Sequence, residues 1–95
     1  MMKVHFSVEA EADLDAVVDH IAGERPRAAF EWLRRTKKRC RALGDMPHIG
    51  TARWPDQPRR RMLAAGNYVV IYEVEPRQVN ILRVIHAARD WGVLV

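Results

Sequence analysis

The chain opens with alternating apolar and polar positions. In residues 3–8, Val4, Phe6 and Val8 would face one way and the polar residues between them the other. A period of two in residues that favour extended backbone predicts a β-strand.

A first helix is predicted after this strand. Ser7 is a suitable N-cap, and Glu9 and Glu11 follow where the positive end of the helix dipole favours acids. Apolar residues then recur three and four positions apart: Ala10, Leu14, Val17, Val18 and Ile21. The spacing predicts an amphipathic helix that ends at Gly23.

A second helix is predicted from Pro26, which suits a first helical turn, to Gly44. Its apolar stripe consists of Ala29, Trp32, Leu33, Thr36, Cys40 and Leu43. A basic stripe on another face consists of Arg27, Arg34, Lys38 and Arg41. The short link between the helices predicts an antiparallel hairpin.

The second half of the chain predicts a loop and three strands. Residues 46–58 hold three of the five prolines, which indicates a loop. Alternation resumes at residue 59, and further strands are expected over residues 68–74 and 79–86. Short turns at Gly66-Asn67 and Pro76-Arg77 favour antiparallel pairing of these three strands.

The order β-α-α-β-β-β predicts an α+β fold, in which a helical hairpin packs on one face of an antiparallel sheet. With 95 residues the chain is expected to form a single domain, residues 1–95. The sheet face away from the helices would be free to hold polar residues.

Charge is strongly segregated within the net +4 of the chain. Residues 1–24 hold one basic and six acidic residues, whereas residues 25–61 hold twelve basic and three acidic ones. Two interpretations stay open: a solvated basic face in a chain that prefers arginine, or a surface for an acidic partner, either nucleic acid or an acidic protein segment.

Several classes of protein are disfavoured. Cys40 is the only cysteine, so no disulfide can form within the chain, and no Cys/His spacing suggests a metal site. No glycine-rich phosphate loop or other cofactor motif is present, and no cofactor is expected. The first residues do not resemble a signal peptide and no apolar run could span a membrane, so we expect a cytoplasmic protein.

Basic residues near the strand ends are the main candidates for chemistry. Arg59, Arg60 and Arg61 begin the second strand, and Arg83, His86 and Arg89 lie in or after the last one. If they converge on the uncovered sheet face, they would suit an anionic ligand. The alternative is that Arg83 is an inward charge neutralised by an acid such as Glu73 on the neighbouring strand, and that His86 only forms hydrogen bonds. Trp54 and Trp91 are either exposed interface anchors or caps on the small core.

Several segments together carry a family resemblance. They are Ala10-x-x-Asp13-Leu14, His20-Ile21-Ala22, Ala28-Ala29, Leu43-x-x-Met46-Pro47-x-x-Gly50, Gly66-x-Tyr68-Val69-Val70-x-Tyr72-x-Val74 and Val79-x-Ile81-Leu82-Arg83-Val84-x-His86-x-x-Arg89-Asp90. In this order and spacing the chain resembles ParE-type toxins of the RelE/ParE family. The resemblance implies a plasmid-stabilising toxin that an antitoxin neutralises with its C-terminal segment.

The two branches of that family imply different targets. ParE-like members are associated with inhibition of DNA gyrase by binding, whereas RelE-like members cut messenger RNA on the ribosome. The RelE pattern implies an arginine directly after Tyr68, where this chain has Val69, and a terminal aromatic residue, where it ends Gly92-Val93-Leu94-Val95. We therefore expect a ParE-like gyrase inhibitor without catalysis. A RelE-like ribonuclease is the alternative, and a family member that has lost toxicity is a third.

Two sets of contact residues are expected. The target-binding candidates are Arg59, Arg60, Arg61, Arg83, His86, Arg89 and Trp91. The antitoxin-binding candidates are Arg34, Lys38, Arg41 and Trp54. Because the basic half is so strongly charged, the antitoxin should supply an acidic, partly apolar segment that folds on binding.

Overall fold

Two helices and four strands make up the fold in the computed structural model, which describes residues 1–89. In chain order they are β1 (Lys3–Phe6), α1 (Val8–Ala22), α2 (Pro26–Ala42), β2 (Arg60–Ala65), β3 (Tyr68–Val74) and β4 (Gln78–His86). The predicted α+β order β-α-α-β-β-β is confirmed. Ser7 caps α1 as expected, since its hydroxyl accepts the Ala10 N–H at 2.9 Å. The second helix ends slightly earlier than predicted, at Ala42 rather than Gly44.

The sheet is mixed, so the prediction of a purely antiparallel sheet is wrong. The strand order is β1-β4-β3-β2, with β1 parallel to β4 and the other two pairs antiparallel. The helical hairpin explains this, because it returns the chain to the end of the sheet where β1 began. There the Met2 N–H donates to the Gly44 carbonyl at 2.8 Å. The direction of β2 therefore matches that of β1, and two further reversals make β4 parallel to β1.

The main core lies between the helices and one sheet face. Its buried residues are Ala10, Leu14, Cys40, Leu43, Val70, Tyr72, Val79, Ile81 and Val84. A second apolar cluster lies on the other face, where Val69, Ile71 and Ile85 are buried beside Trp54, Met62 and Leu82. The expectation that this face is free for polar residues is therefore wrong over its central part, because Val69 and Ile71 alternate with Val70 and Tyr72 along β3.

The proline-containing loop after α2 is fastened to the sheet by Tyr72. The buried Tyr72 hydroxyl donates to the Pro47 carbonyl at 2.8 Å and accepts the Gly50 N–H at 2.9 Å. Thr51 and Met62 also exchange backbone hydrogen bonds of 2.8 and 2.9 Å. A Cβ at Gly50 would lie 2.5 Å from the Tyr72 hydroxyl and 2.6 Å from the Met62 carbonyl oxygen, so only glycine fits there. The loop therefore has a fixed position beside β2.

Candidate functional site

The three consecutive arginines around the start of β2, of which Arg59 directly precedes the strand, have different partners. Arg59, with 65% of its side chain exposed, forms an ion pair with Glu75 at 2.9 Å. The Arg60 Nε and Nη2 atoms donate to one carboxylate oxygen of Glu73 at 3.2 and 2.9 Å. Arg61 turns to the loop, where its Nη1 donates to the carbonyls of Gly50 at 2.7 Å and His48 at 3.2 Å. Arg60 and Arg61 thus hold this end of the sheet and the adjoining loop together.

Arg83 is neutralised by α1 rather than by the neighbouring strand. Its Nε and Nη2 atoms donate to the two carboxylate oxygens of Asp13 at 2.7 and 3.0 Å, and the Val84 N–H donates to the same carboxylate at 2.9 Å. The hydrogen bonds that it donates to Asp13 raise the pKa of Arg83 above its usual range. The interpretation of Arg83 as a neutralised charge is therefore confirmed, but its partner is Asp13 and not an acid of the neighbouring strand such as Glu73, which pairs with Arg60.

His86 lies at the far end of β4 and is exposed. Its Nδ1 accepts the Ala88 N–H at 3.1 Å, and its ring meets Tyr68 edge-on with centroids 5.2 Å apart. Tyr68 in turn meets Trp32 of α2 edge-on at 5.2 Å. Arg89 is exposed just beyond, and Trp91 lies outside the described residues.

These candidates do not form one cluster. Arg60 is opposite Glu73, and Glu73 is opposite Asn80 on β4. His86 lies six residues further along β4, which corresponds to about 20 Å of strand. The predicted convergence on one sheet face is thus not found for Arg59, Arg60 and Arg61 on one side and Arg83, His86 and Arg89 on the other. Instead, Arg59, Arg60, Arg61 and Arg83 each bind a carboxylate or a carbonyl group of the protein.

The candidates for antitoxin binding are also divided among surfaces. Arg34 and Arg41 are exposed on the outer side of α2, whereas Lys38 borders a groove described below. Trp54 packs against the second apolar cluster, and the Arg60 guanidinium lies 5.8 Å from its ring centroid. Trp54 is thus partly buried.

A groove between α2 and β2 was not predicted from the sequence. Its wider part is a cavity of about 470 Å³ lined by Trp32, Arg35, Thr36, Lys38, Arg39, Ala42, Ala65 and Gly66. A smaller cavity of about 150 Å³ continues it along Arg39 and Ala42 and is lined further by Leu43, Met46, Ile49 and Leu63. We call these two cavities the α2–β2 groove.

The α2–β2 groove combines an apolar floor with a cationic border. Arg35, Lys38 and Arg39 supply the charge on the α2 side. Met46 and Ile49 stand at the other end with 59% and 57% of their surface exposed. Large exposed apolar side chains beside a concave surface are typical of a protein-binding site. The signal was present in the sequence as Met46 and Ile49, two of the three large apolar residues in the loop of residues 46–58.

Other chemistries find no support in residues 1–89. No group of three or more potential metal ligands occurs there, and no helix there is long and apolar enough to cross a membrane. Burial raises the pKa of the Cys40 thiol to about 12, so at neutral pH it is protonated and a poor nucleophile.

Comparison with known proteins identifies the family of the chain. The family model for the ParE toxin of the type II toxin–antitoxin system parDE matches residues 4–91. Toxin RelE2 of Caulobacter vibrioides is 34% identical over 89 residues, which cover 94% of this chain and 99% of that protein. The chain belongs to the ParE toxin family.

Two solved structures share the fold. The chromosomal ParDE toxin–antitoxin system from P. aeruginosa superposes with a TM-score of 0.77 at 25% identity, over 90% of this chain and 96% of the other. The toxin–antitoxin complex RelBE2 from Mycobacterium tuberculosis superposes with a TM-score of 0.65 at 22% identity, over the same shares of the two chains.

Proposed function

We propose that this toxin acts in the cytoplasm by binding and inhibiting DNA gyrase, and that a cognate antitoxin neutralises it by filling the α2–β2 groove. The observation that carries the choice of target is the ParE family match over residues 4–91. A ParDE system is also among the similar solved structures.

The groove supports the proposal of an antitoxin with an acidic, partly apolar segment. Apolar side chains of that segment would cover Leu63, Met46 and Ile49, and its acids would meet Arg35 and Arg39. Burial of apolar area would supply most of the affinity, at roughly 25 cal/mol per Å² before the cost of ordering the segment. The charges would mainly increase the association rate and select the correct partner.

The arrangement of basic residues supports inhibition by binding rather than by catalysis. Cleavage of RNA next to a 2′-hydroxyl needs a base, a cation that stabilises the phosphorane and an acid within one site. Arg60, Arg61 and Arg83 are each held by a carboxylate or by carbonyl groups of the protein. Along β4, His86 lies about 20 Å from Asn80, which is level with Arg60 across the sheet.

A RelE-like ribonuclease is the second candidate, favoured by the similarity to Toxin RelE2. Expression of the toxin without antitoxin separates the two candidates. For the gyrase inhibitor we expect a DNA-damage response while primer extension finds intact messages. Codon-positioned cuts in messenger RNA before any DNA damage would instead establish the ribonuclease.

A further inference from the structure

Helix α2 carries far more positive than negative charge. Its 17 residues include seven cations and a single acid, Glu31. Four of the cations are exposed and follow one side of the helix: Arg27, Arg34, Lys38 and Arg41. The ion pairs within residues 1–89 all lie outside α2, so none of them neutralises these four side chains. We call the four residues the α2 cationic track.

The α2 cationic track is straight and faces away from the sheet. At 100° per residue its members lie within an arc of about 60°, roughly opposite the buried residues of α2, which are Ala29, Thr36 and Cys40. From Arg27 to Arg41 the track is about 21 Å long. One strand of a B-DNA duplex carries about six phosphates over that length, because its phosphates advance by about 3.4 Å each. The long side chains of arginine and lysine can therefore each reach a phosphate.

The two basic sides of α2 differ in their chemistry. On the groove side, Arg35 and Arg39 border an apolar floor that includes Leu63, which suits a partly apolar protein segment. On the outer side, Phe30 is the one exposed large apolar side chain of α2. Protein partners are held mainly by buried apolar and aromatic anchors, whereas nucleic-acid interfaces are more polar and much more positively charged. The outer side therefore suits a nucleic acid better than an acidic protein segment.

We propose that the α2 cationic track binds the phosphate backbone of duplex DNA. Phosphate contacts carry no sequence information, so this binding does not depend on the base sequence. The choice of duplex DNA rests on the proposed function, because gyrase acts on duplex DNA. Arg27, Arg34 and Arg41 do not line the α2–β2 groove, so they stay available to DNA when a segment fills the groove.

Acids on the neighbouring helix limit where the duplex can lie. Asp15 and Asp19 of α1 are exposed and, by helical spacing, lie roughly opposite the buried Leu14 and Val17. The two helices pack against each other, and packed helices have axes about 8–10 Å apart, a distance over which charges still interact at low salt. These acids therefore repel phosphates from α1 and confine the duplex to the side of α2.

Salt dependence of the binding tests the track quantitatively. Fluorescence anisotropy of a labelled duplex, titrated with the purified full chain, gives the association constant. Its logarithm should fall linearly with the logarithm of the salt concentration, with a slope of about 3.6 for four phosphate contacts. From about 50 to about 200 mM salt the affinity should thus fall roughly a hundredfold. No gyrase is present, so a failure here is distinct from an absence of gyrase inhibition, which a supercoiling assay reports separately.

Removing two cations of the track should halve this slope. Arg34→Gln/Arg41→Gln leaves two phosphate contacts, so we expect a slope of about 1.8 and at least about tenfold weaker binding at low salt. The matched control Lys3→Gln/Arg77→Gln removes two exposed cations outside α2 and should keep a slope of about 3.6. All four side chains are exposed and outside the ion pairs, so circular dichroism should give the same helix content for both variants.

The acids of α1 provide a test of opposite sign. Asp15→Asn/Asp19→Asn removes two charges that repel the duplex and should bind it at least about twofold more tightly at low salt. Absence of DNA binding at low salt, or equal slopes for the track variant and its matched control, would overturn the proposal. So would an acid variant that binds no more tightly than the unchanged chain, or tighter binding of an RNA duplex of the same sequence.

Discussion

The Asp13 carboxylate of α1 binds both the guanidinium and the following backbone of Arg83 in β4. It accepts two hydrogen bonds from the guanidinium at 2.7 and 3.0 Å and a third from the Val84 N–H at 2.9 Å. The pairing of β1 with β4 ends at Phe6 and Ile81. Beyond it, the Asp13 carboxylate accepts the hydrogen bond of the Val84 N–H, as a neighbouring strand would. A charge that suggested ligand binding in the sequence instead joins the helical hairpin to the sheet.

Replacing Asp13 by Asn should lower the free energy of unfolding by roughly 1–3 kcal/mol, because a charged acceptor is lost while the partly buried Arg83 remains. Arg83→Met should cost a similar amount. The double variant should cost clearly less than the sum of the two, since the second change no longer leaves an unpaired charge. Urea unfolding measures all three, and strictly additive effects would show that the two residues are not coupled.

Gly50→Ala should destabilise the fold by about 3 kcal/mol, because the new Cβ would collide with the Tyr72 hydroxyl and the Met62 carbonyl. Gly23→Ala is the matched control. A Cβ there meets only ordinary contacts of 3.5 and 3.7 Å, and the φ of −57° suits alanine. The control should therefore leave stability unchanged or slightly raised. Equal thermal unfolding of the two variants would contradict the tight attachment of the loop.

The buried Cys40 thiol predicts a loss of stability at alkaline pH. Burial raises its pKa to about 12 from an ordinary value of 9.0, so the unfolded chain loses this proton first as the pH rises. The contribution of Cys40 to the free energy of unfolding is fully present below about pH 9. Above that pH it falls by roughly 1.4 kcal/mol per pH unit, until about pH 12.

The variant Cys40→Ala isolates this effect. The difference in unfolding free energy between the unchanged chain and Cys40→Ala should be constant below about pH 9 and shrink above it. Burial also raises the pKa of Tyr72, but that contribution is common to both chains and cancels. A difference that does not change with pH would mean that the thiol is as accessible to solvent in the folded chain as in the unfolded one.

The cationic border of the α2–β2 groove predicts how the antitoxin binds. Arg35→Glu/Arg39→Glu should weaken the affinity for the antitoxin at least about tenfold and slow its association, because two attractive charges become repulsive. Both side chains border the groove on a solvent-exposed side, so folding should be preserved. The matched control is Arg27→Glu/Arg77→Glu, which reverses two exposed charges away from the groove. Equal affinities of the two variants, measured by calorimetry, would place the antitoxin elsewhere.

Local patterns were enough to predict the helices and strands. Ser7 and Pro26 start their helices as expected, and the turns at Gly66-Asn67 and Pro76-Arg77 separate the predicted strands. The parallel pairing of β1 with β4 could not be predicted in this way. It depends on where the helical hairpin returns the chain, which is fixed by long-range contacts such as that between Met2 and Gly44.

The site was harder to predict because an arginine in a sequence does not reveal its partner. Arg83 pairs with Asp13, seventy residues earlier, and Arg61 binds loop carbonyls whose position depends on Tyr72. The α2–β2 groove forms only in the folded chain, where residues of α2 and of β2 line the same cavities. The family, in contrast, could be inferred from the order of short motifs along the chain.

Supercoiling of relaxed plasmid DNA by purified gyrase tests the central claim most directly. The toxin should abolish supercoiling and accumulate cleaved DNA attached to gyrase, and prior addition of the antitoxin should prevent both effects. Full supercoiling activity in an excess of folded toxin, together with toxin-dependent cutting of messenger RNA on ribosomes, would contradict the account.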